Sequence, residues 1–549
     1  MAEQNKNGMN RRRFLAGTAA GVGGAAVAGP LLPGGLAYAD AFTTGASAAT
    51  GAAAKVFPGD QQYEDLVMAL NPRWVAAPDN VHVVDDPAQI APIVSSAVRG
   101  RKRLTVRSGG HCFLDFVYNS EVDQVIDLTN MNRIYYDQRV NAIAVESGAI
   151  LLDVYEKLYQ TWGVVAPGGV CYSVGIGGHV AGGGWGWLVR RNGLIVDHLY
   201  AVEVVVVGAL GNVRTIIATR EANDPHRDLW WAHTGGGGGN FGIVTRYFFR
   251  SPGATGHDPR RLLPKPPARV LFNLLVWDWN SMSKADVTRL LKNYGDWHVA
   301  NKSPNSPTRN LTSIMQVFHK SAGQIVLLTE VDAGAPNAQS ILDDHLAFIQ
   351  AGVAAPIVAA QSTMPWLQFV KYSGTTNKLL NDPTLFAEYK SAFWKSSFTP
   401  AQLESIHKHL TRTDINNPNN LLVITPYGGA TNAVPQAASA IQHRDASFKM
   451  LWSVMWANPA DEAQNVAWTR EFYQETFADT GGVPEVNDVT DGCYVNYPDA
   501  DLSDPVHNQS SQSWSDLYYK DAYPRLQRVK KTYDPRDFFR HRQSVELPS

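Results

Sequence analysis

Cysteine is nearly absent from this 549-residue chain, which has three in all, too few for a disulfide scaffold. A surplus of either charge sign is missing too. Lys and Arg total 48 against 50 Asp and Glu, a formal net charge of -2, which removes the chain-wide basic footprint of a nucleic-acid or anionic-membrane binder. Long apolar runs are lacking as well. The one candidate, Ala16 to Leu36, is built of small residues and broken by glycines and Pro30, so it makes no stable membrane anchor. There is no fixed-period repeat, no Walker loop, and no strand-glycine-helix unit with the acidic residue that a Rossmann site needs.

What is present begins with an address. Arg11-Arg12-Arg13-Phe14-Leu15 precedes the small-residue run, and Ala37-Tyr38-Ala39 closes it before Asp40. Residues 1–39 therefore read as a twin-arginine signal peptide, with the folded protein handed to the twin-arginine export machinery and a secreted or periplasmic location. Folded export suits a protein that loads its cofactor in the cytoplasm.

Beyond a small-residue tail the pattern turns αβ. Ala91 to Val98 and Ile150 to Trp162 have helical apolar spacing, while Arg103 to Arg107, Gln124 to Leu128 and Ala142 to Val145 read as strands. Val204 to Val207 is solidly apolar, as in a strand buried on both faces. A Pro-, Gly- and Arg-rich stretch from Ser251 to Pro267 marks a domain boundary before the strand-like Val270 to Val276.

Glycine carries the chemistry. Arg107-Ser108-Gly109-Gly110-His111 follows a strand, Gly175-Ile176-Gly177-Gly178-His179 leads to Gly182-Gly183-Gly184, and Gly235 to Gly239 precede Asn240-Phe241-Gly242-Ile243-Val244. Such runs bring backbone amides close to an anion, because no Cβ intervenes and positive φ is allowed. A pyrophosphate is the natural anion, so a nucleotide cofactor is expected, with ordinary turns as the alternative.

These motifs, with Pro167-Gly168-Gly169-Val170-Cys171, Pro426-Tyr427-Gly428-Gly429, Tyr494-Val495-Asn496-Tyr497 and Tyr533-Asp534-Pro535, resemble the berberine-bridge-enzyme type of FAD-linked oxidase in the vanillyl-alcohol-oxidase superfamily. The resemblance runs from about Arg73 to Val545 and is strongest toward secreted members that oxidise sugar hydroxyls on glycosylated natural products. It implies an α+β chain with a PCMH-type FAD-binding domain at 40–252 and a substrate domain at 253–487. That second domain would be a large antiparallel sheet backed by helices, and a segment at 488–549 would return to the flavin.

By the same resemblance, FAD is attached twice, through His111 and Cys171, the side chains nucleophilic enough to add to an oxidised flavin. Arg107, Ser108, Gly109, Gly110, Val174, Gly175, Gly177, Gly178, His179, Gly182, Gly183, Asn240, Gly242, Ile243, Val244 and Asn496 would hold it. Tyr497 is the expected base for a substrate hydroxyl and Tyr427 the expected second tyrosine on the substrate side. Cys112 is expected to pack away from the site, since neighbours in extended chain point to opposite sides. Val174, three residues after Cys171, is expected where dioxygen meets the ring. No metal is called for.

Two departures sharpen this. Sugar-oxidising members present an acid or tyrosine where this chain has Thr425, and alkaloid-cyclising members use a glutamate where it has Ala430 to Ala433. Alkaloid cyclisation is thereby disfavoured. An oxidase of an alcohol, sugar or glycoside is the reading, with a dehydrogenase using another acceptor or a poorly catalytic flavin-bearing binding protein as rivals. Trp277, Trp279, Trp297, Trp366 and Trp394 are candidates for stacking on sugar or polyketide rings, with core packing as the alternative.

Overall fold

The computed structural model describes residues 51–376 and 379–549, so the expected signal peptide at 1–39 lies outside the described residues. Among these, no helix is long and apolar enough to cross a membrane. Two sheets make the N-terminal half. The first joins β1 (Ala54–Val56), β2 (Asn80–Val83), β3 (Leu104–Arg107) and β4 (Gln124–Asp127) in the order β1-β2-β4-β3, with β2 and β3 both parallel to β4. The second joins β5 (Ile134–Asp137), β6 (Ala142–Glu146), β7 (Leu199–Val207), β8 (Val213–Thr219) and β9 (Ile243–Phe249) in the antiparallel order β5-β6-β9-β7-β8. All nine residues of β7 are buried, as its unbroken apolar run requires, and the helices expected near 91–98 and 150–162 span Ile90–Gly100 and Leu151–Trp162.

The second half is a seven-stranded antiparallel sheet. Its strands are β10 (Arg269–Asp278), β11 (Leu311–Phe318), β12 (Gln324–Asp332), β13 (Val358–Pro365), β14 (Phe386–Trp394), β15 (Leu421–Pro426) and β16 (Phe448–Trp456), in the order β13-β10-β12-β11-β15-β16-β14. Period-two alternation gives this sheet two jobs. Ile314, Gln316 and Phe318 of β11, Val423 and Thr425 of β15 and Leu451 of β16 face a central cavity. On β14 and β16, Trp394 and Trp452 pack instead against aromatic rings such as Phe398 and Phe472, the latter on the helix Glu462–Thr476. Trp277, Trp279, Trp297, Trp366 and Trp394 are all buried and none lines the cavity, so packing is their structural role.

The C-terminal segment ties the glycine loops together. Asn496 Nδ2 donates to the carbonyl of His179, the hydroxyl of Tyr494 accepts from the amide of Gly184, and Lys530 Nζ donates to the carbonyl of Asn240. Val545 closes the set by donating its amide to Asn240 Oδ1.

Candidate active site

Between the glycine loops and the seven-stranded sheet lies a cavity of about 770 Å³. Its floor is set by a close approach of two loops. A Cβ on Gly175 would sit 2.2 Å from the amide nitrogen of Gly109, and one on Gly109 would sit 2.3 Å from that of Gly175. Neither backbone has anywhere to go, so only glycine fits at both positions, and both glycines line the cavity. Ser108 locks the junction, its Oγ donating to the carbonyl of Ser147 and accepting from the amide of Gly177. Arg107 pairs with Asp127 at the end of β4, which keeps a cation beside the loop.

His111 and Cys171 line the same cavity, with Val174, Gly177, Gly178, His179 and Asn240. Gly110, Gly242, Ile243, Val244 and Asn496, also expected around the cofactor, line it too. Burial, aided by the Arg107 charge, lowers the His111 imidazole to about 4, so it is neutral at physiological pH. Burial also lifts the Cys171 thiol to about 11.

Three expectations fail. Tyr427 does not line the cavity. Strand β15 stops at Pro426, the chain reverses at Gly428 (φ 82°), and the fully buried phenol packs edge-on to Phe393 at 5.2 Å. Gly182 and Gly183 also lie off the cavity, although Ala181 and Trp185 on either side of them line it. Their missing Cβ atoms make room instead for Asn496 and Ile441, which would be met at 2.0 and 2.7 Å. Cys112, in contrast, borders the cavity, since the chain after Gly110 (φ 76°) runs as a loop and not as a strand with alternating faces.

Tyr497, the expected base, belongs to the cavity wall. It lies 5.0 Å edge-on from Tyr494 and 5.4 Å from Phe113, which stacks in turn on Tyr389 at 3.8 Å. Lys449 reaches it from β16. The ammonium nitrogen lies 3.3 Å from the phenol oxygen and 4.5 Å from the ring centroid, and it also faces the Trp185 ring at 4.6 Å. Burial drives Lys449 down to about 7, with Cys171 opposing, and pushes the Tyr497 phenol well above its ordinary value. Tyr389 and Lys449 escaped the sequence reading. The available signal for Lys449 was a lone charge near the start of the otherwise apolar or neutral run Phe448 to Trp456.

The family models agree with this geometry: an FAD binding domain matches residues 78–216, and a berberine and berberine-like model matches residues 493–546. The aclacinomycin-N/aclacinomycin-A oxidase of Streptomyces galilaeus is 44% identical over 99% of each chain. The chain belongs to the berberine-bridge-enzyme-like FAD-linked oxidases. Among solved structures, the caerulomycin-pathway flavoenzyme CrmK superposes with a TM-score of 0.88 at 42% identity, covering 91% of this chain and 100% of its own. A glycopeptide hexose oxidase complexed with teicoplanin gives 0.86 at 42% identity, covering 90% and 99%. This family member is an FAD-dependent oxidoreductase, and the donor set fits that cofactor. The cavity offers a glycine cradle in which Cβ atoms on Gly109 and Gly175 would collide, a neutral imidazole and a thiol on adjoining loops, and a half-buried histidine, His179, whose shielded Nε2 has no hydrogen-bond partner among the described residues.

Proposed function

We propose that this chain is an exported FAD-dependent oxidase that removes hydride from a hydroxyl-bearing carbon of a carbohydrate or glycosylated natural product, with dioxygen reduced to hydrogen peroxide. The observation that carries it is Tyr497, which lines the cavity shared by His111, Cys171 and Val174 and has Lys449 Nζ 3.3 Å from its phenol oxygen. The twin-arginine motif at residues 11–15 motivates export in the folded state.

In this reading His111 and Cys171 hold the flavin covalently. The amides around Gly109, Gly175 and Gly242 receive its phosphates, and Ser108, Asn240 and Asn496 keep those loops in place. When bound, the flavin accepts two electrons as hydride from the carbinol carbon and passes them to dioxygen. The protein's own task is the hydroxyl proton. A buried phenol with a raised pKa is a poor base alone. A neutral lysine amine 3.3 Å away can take the phenol's proton in step with arrival of the substrate's proton at the phenol oxygen, so no phenolate has to accumulate in a dry site. Tyr389, stacked through Phe113, supplies the second phenol that Thr425 does not.

The relatives support the substrate class, since an aclacinomycin oxidase and a glycopeptide hexose oxidase are each close to half identical to this chain. Screening alcohols, free sugars and glycosides for peroxide release tests the activity. Tyr497→Phe keeps ring volume, so flavin content should hold while flavin reduction by the best substrate slows by roughly 10²–10⁴-fold, the scale of a lost general base. Reduction at the wild-type rate in that variant would remove Tyr497 from the mechanism.

A further inference from the structure

His111 is held by a two-member chain that reaches it from both halves of the molecule. Its Nε2 lies 2.9 Å from Ser173 Oγ, and Ser173 Oγ lies 2.6 Å from Asn381 Oδ1. Ser173 sits two residues after Cys171, on the loop that closes the cavity. Asn381 ends the short turn Leu379–Asn381 between the helix Trp366–Thr376 and β14, in the other half of the chain. The amide of Asn381 is oriented by a second contact, Nδ2 donating to the carbonyl of Gly374 at 3.5 Å, so Oδ1 faces the serine.

Hydrogen-bond logic then orders the donors along the chain from His111 to Asn381. An amide oxygen only accepts, so the Ser173 hydroxyl points its hydrogen at Asn381. Ser173 Oγ therefore accepts from His111, and Nε2 carries the imidazole's proton. The ring is neutral at physiological pH because burial and Arg107 depress its basicity, so Nδ1 is left with a bare lone pair. Nδ1 makes no hydrogen bond among the described residues.

We infer that Ser173 and Asn381 are positioning residues for covalent flavin attachment: they lock His111 in the Nε2–H tautomer and hold Nδ1 as the nucleophile for the methyl carbon of the flavin ring. This rests on the attachment at His111 proposed above. The step balances as follows. A bond forms between Nδ1 and the methyl carbon, and one C–H bond of that methyl breaks. The methyl proton and the Nε2 proton, made acidic once Nδ1 is alkylated, are released. Two electrons stay behind on the flavin and pass to dioxygen, which takes up two protons and leaves as hydrogen peroxide.

The test uses Cys171→Ala protein, in which any flavin that survives acid precipitation reports the His111 link alone. Attachment is followed over time in air, with total flavin after native gel filtration as a separate measure of binding. Adding Ser173→Ala should slow attachment roughly tenfold, the scale of one lost hydrogen bond, while total flavin stays near its parent value. Ser173→Thr retains the hydroxyl and should restore the rate, which a simple packing role for a small residue would not. Asn381→Leu should act like Ser173→Ala, whereas Asn381→Asp keeps an acceptor and should not. Should Ser173→Ala fail to fold, the Asn381 pair still decides the matter. Attachment in Ser173→Ala and Asn381→Leu at the parent rate overturns this inference alone. Complete release of flavin by acid from Cys171→Ala itself overturns the His111 attachment, and this inference with it.

Discussion

Two buried lysines on neighbouring strands of one sheet meet opposite fates. Lys390 of β14 and Lys449 of β16 are 1% exposed apiece. Lys390 turns away from the cavity into a nest of charge, its Nζ 2.8 Å from Asp499 and 2.7 Å from Asp501, with Arg470 bonded to Asp501 behind them. Against the cost of burial, Asp499 and Asp501 hold its pKa above the ordinary value. The carboxylates of Glu388, Asp499 and Asp501 gather within 4.8 Å of one another, a spacing that also suits a metal ion, but the Lys390 ammonium already bonds two of them. Lys449 turns the other way, toward aromatic rings, and has no carboxylate within ion-pair reach among the described residues. Burial there acts almost unopposed and brings the amine to about 7. The lesson is that desolvation alone does not make a residue chemical. Withholding the counter-charge does, because a lysine that loses its proton near neutrality can exchange one with its neighbour.

The largest expected difference between the two is in stability. Lys390→Met leaves Asp499 and Asp501 buried beside one another with Arg470 and, at 3.9 Å, the His507 ring as the basic groups in reach, and removing one partner of a buried ion cluster costs about 3–5 kcal/mol. Denaturant unfolding should show that loss, whereas Lys449→Met should cost little or stabilise, since it removes an uncompensated buried cation. The pH dependence has opposite signs. Lys390's raised pKa gives stability that is present below the unfolded value of ~10.4 and is lost as pH climbs through the folded one. Lys449's lowered pKa imposes a penalty that is full below about pH 7 and is relieved as pH rises from there toward ~10.4. Equal losses in the two methionine variants would erase the distinction.

The next effect is kinetic. Deprotonation of Lys449 as pH rises through about 7 frees the amine to take the Tyr497 proton, so flavin reduction by substrate should rise through that range and level off above it. In Lys449→Met the rise should vanish and the plateau fall by roughly 10²-fold, the lower end of the range for acid–base assistance. Stopped-flow reduction from pH 5.5 to 9 on the wild type and variant measures both. A profile in the variant that keeps its limb near 7 would assign that titration to another group.

How much of this was legible beforehand depends on where the signal lives in the chain. The glycine loops and the strands leading into them were readable because each leaves a mark in its own segment: the loop–loop contact that forbids Cβ atoms shows as glycine at both 109 and 175, and β6 and β7 announce themselves by apolar pattern. Tyr497, far along the sequence, was reached through its motif. Lys449, Tyr389 and Asn381 were not reached, because each is ordinary in its own segment and acquires meaning only when β14, β16 and the turn before β14 are folded over the loops. Tyr427 failed for a related reason. Thr425, two residues earlier, does face the cavity, and period two would put Tyr427 beside it, but the strand ends at Pro426 and the turn at Gly428 cancels the parity. The same distance rule kept Gly182 and Gly183 in the expected cofactor set when their space belongs to Asn496 and Ile441.

The smallest expected effect concerns a residue that both lysines leave untouched. Val174 lines the cavity one turn beyond Cys171, with its amide donating to the Cys171 carbonyl and its own carbonyl accepting from Leu151, so the backbone there is fixed. A β-branched side chain on a fixed backbone has one favoured χ1 and leaves a gap of constant shape beside the position proposed for the flavin. Leucine at this site would extend its terminal methyls into that gap, which is too small a change to disturb Tyr497 or Lys449 but enough to obstruct a diatomic molecule. Val174→Leu should therefore leave flavin reduction within about twofold of wild type while slowing reoxidation by dioxygen roughly tenfold, about 1.4 kcal/mol in the barrier. Anaerobic reduction followed by mixing with air-saturated buffer separates the two halves. Unchanged reoxidation in the variant would mean that dioxygen reaches the ring by another path, and slow reoxidation in the wild type, relieved by a quinone, would make the enzyme a dehydrogenase.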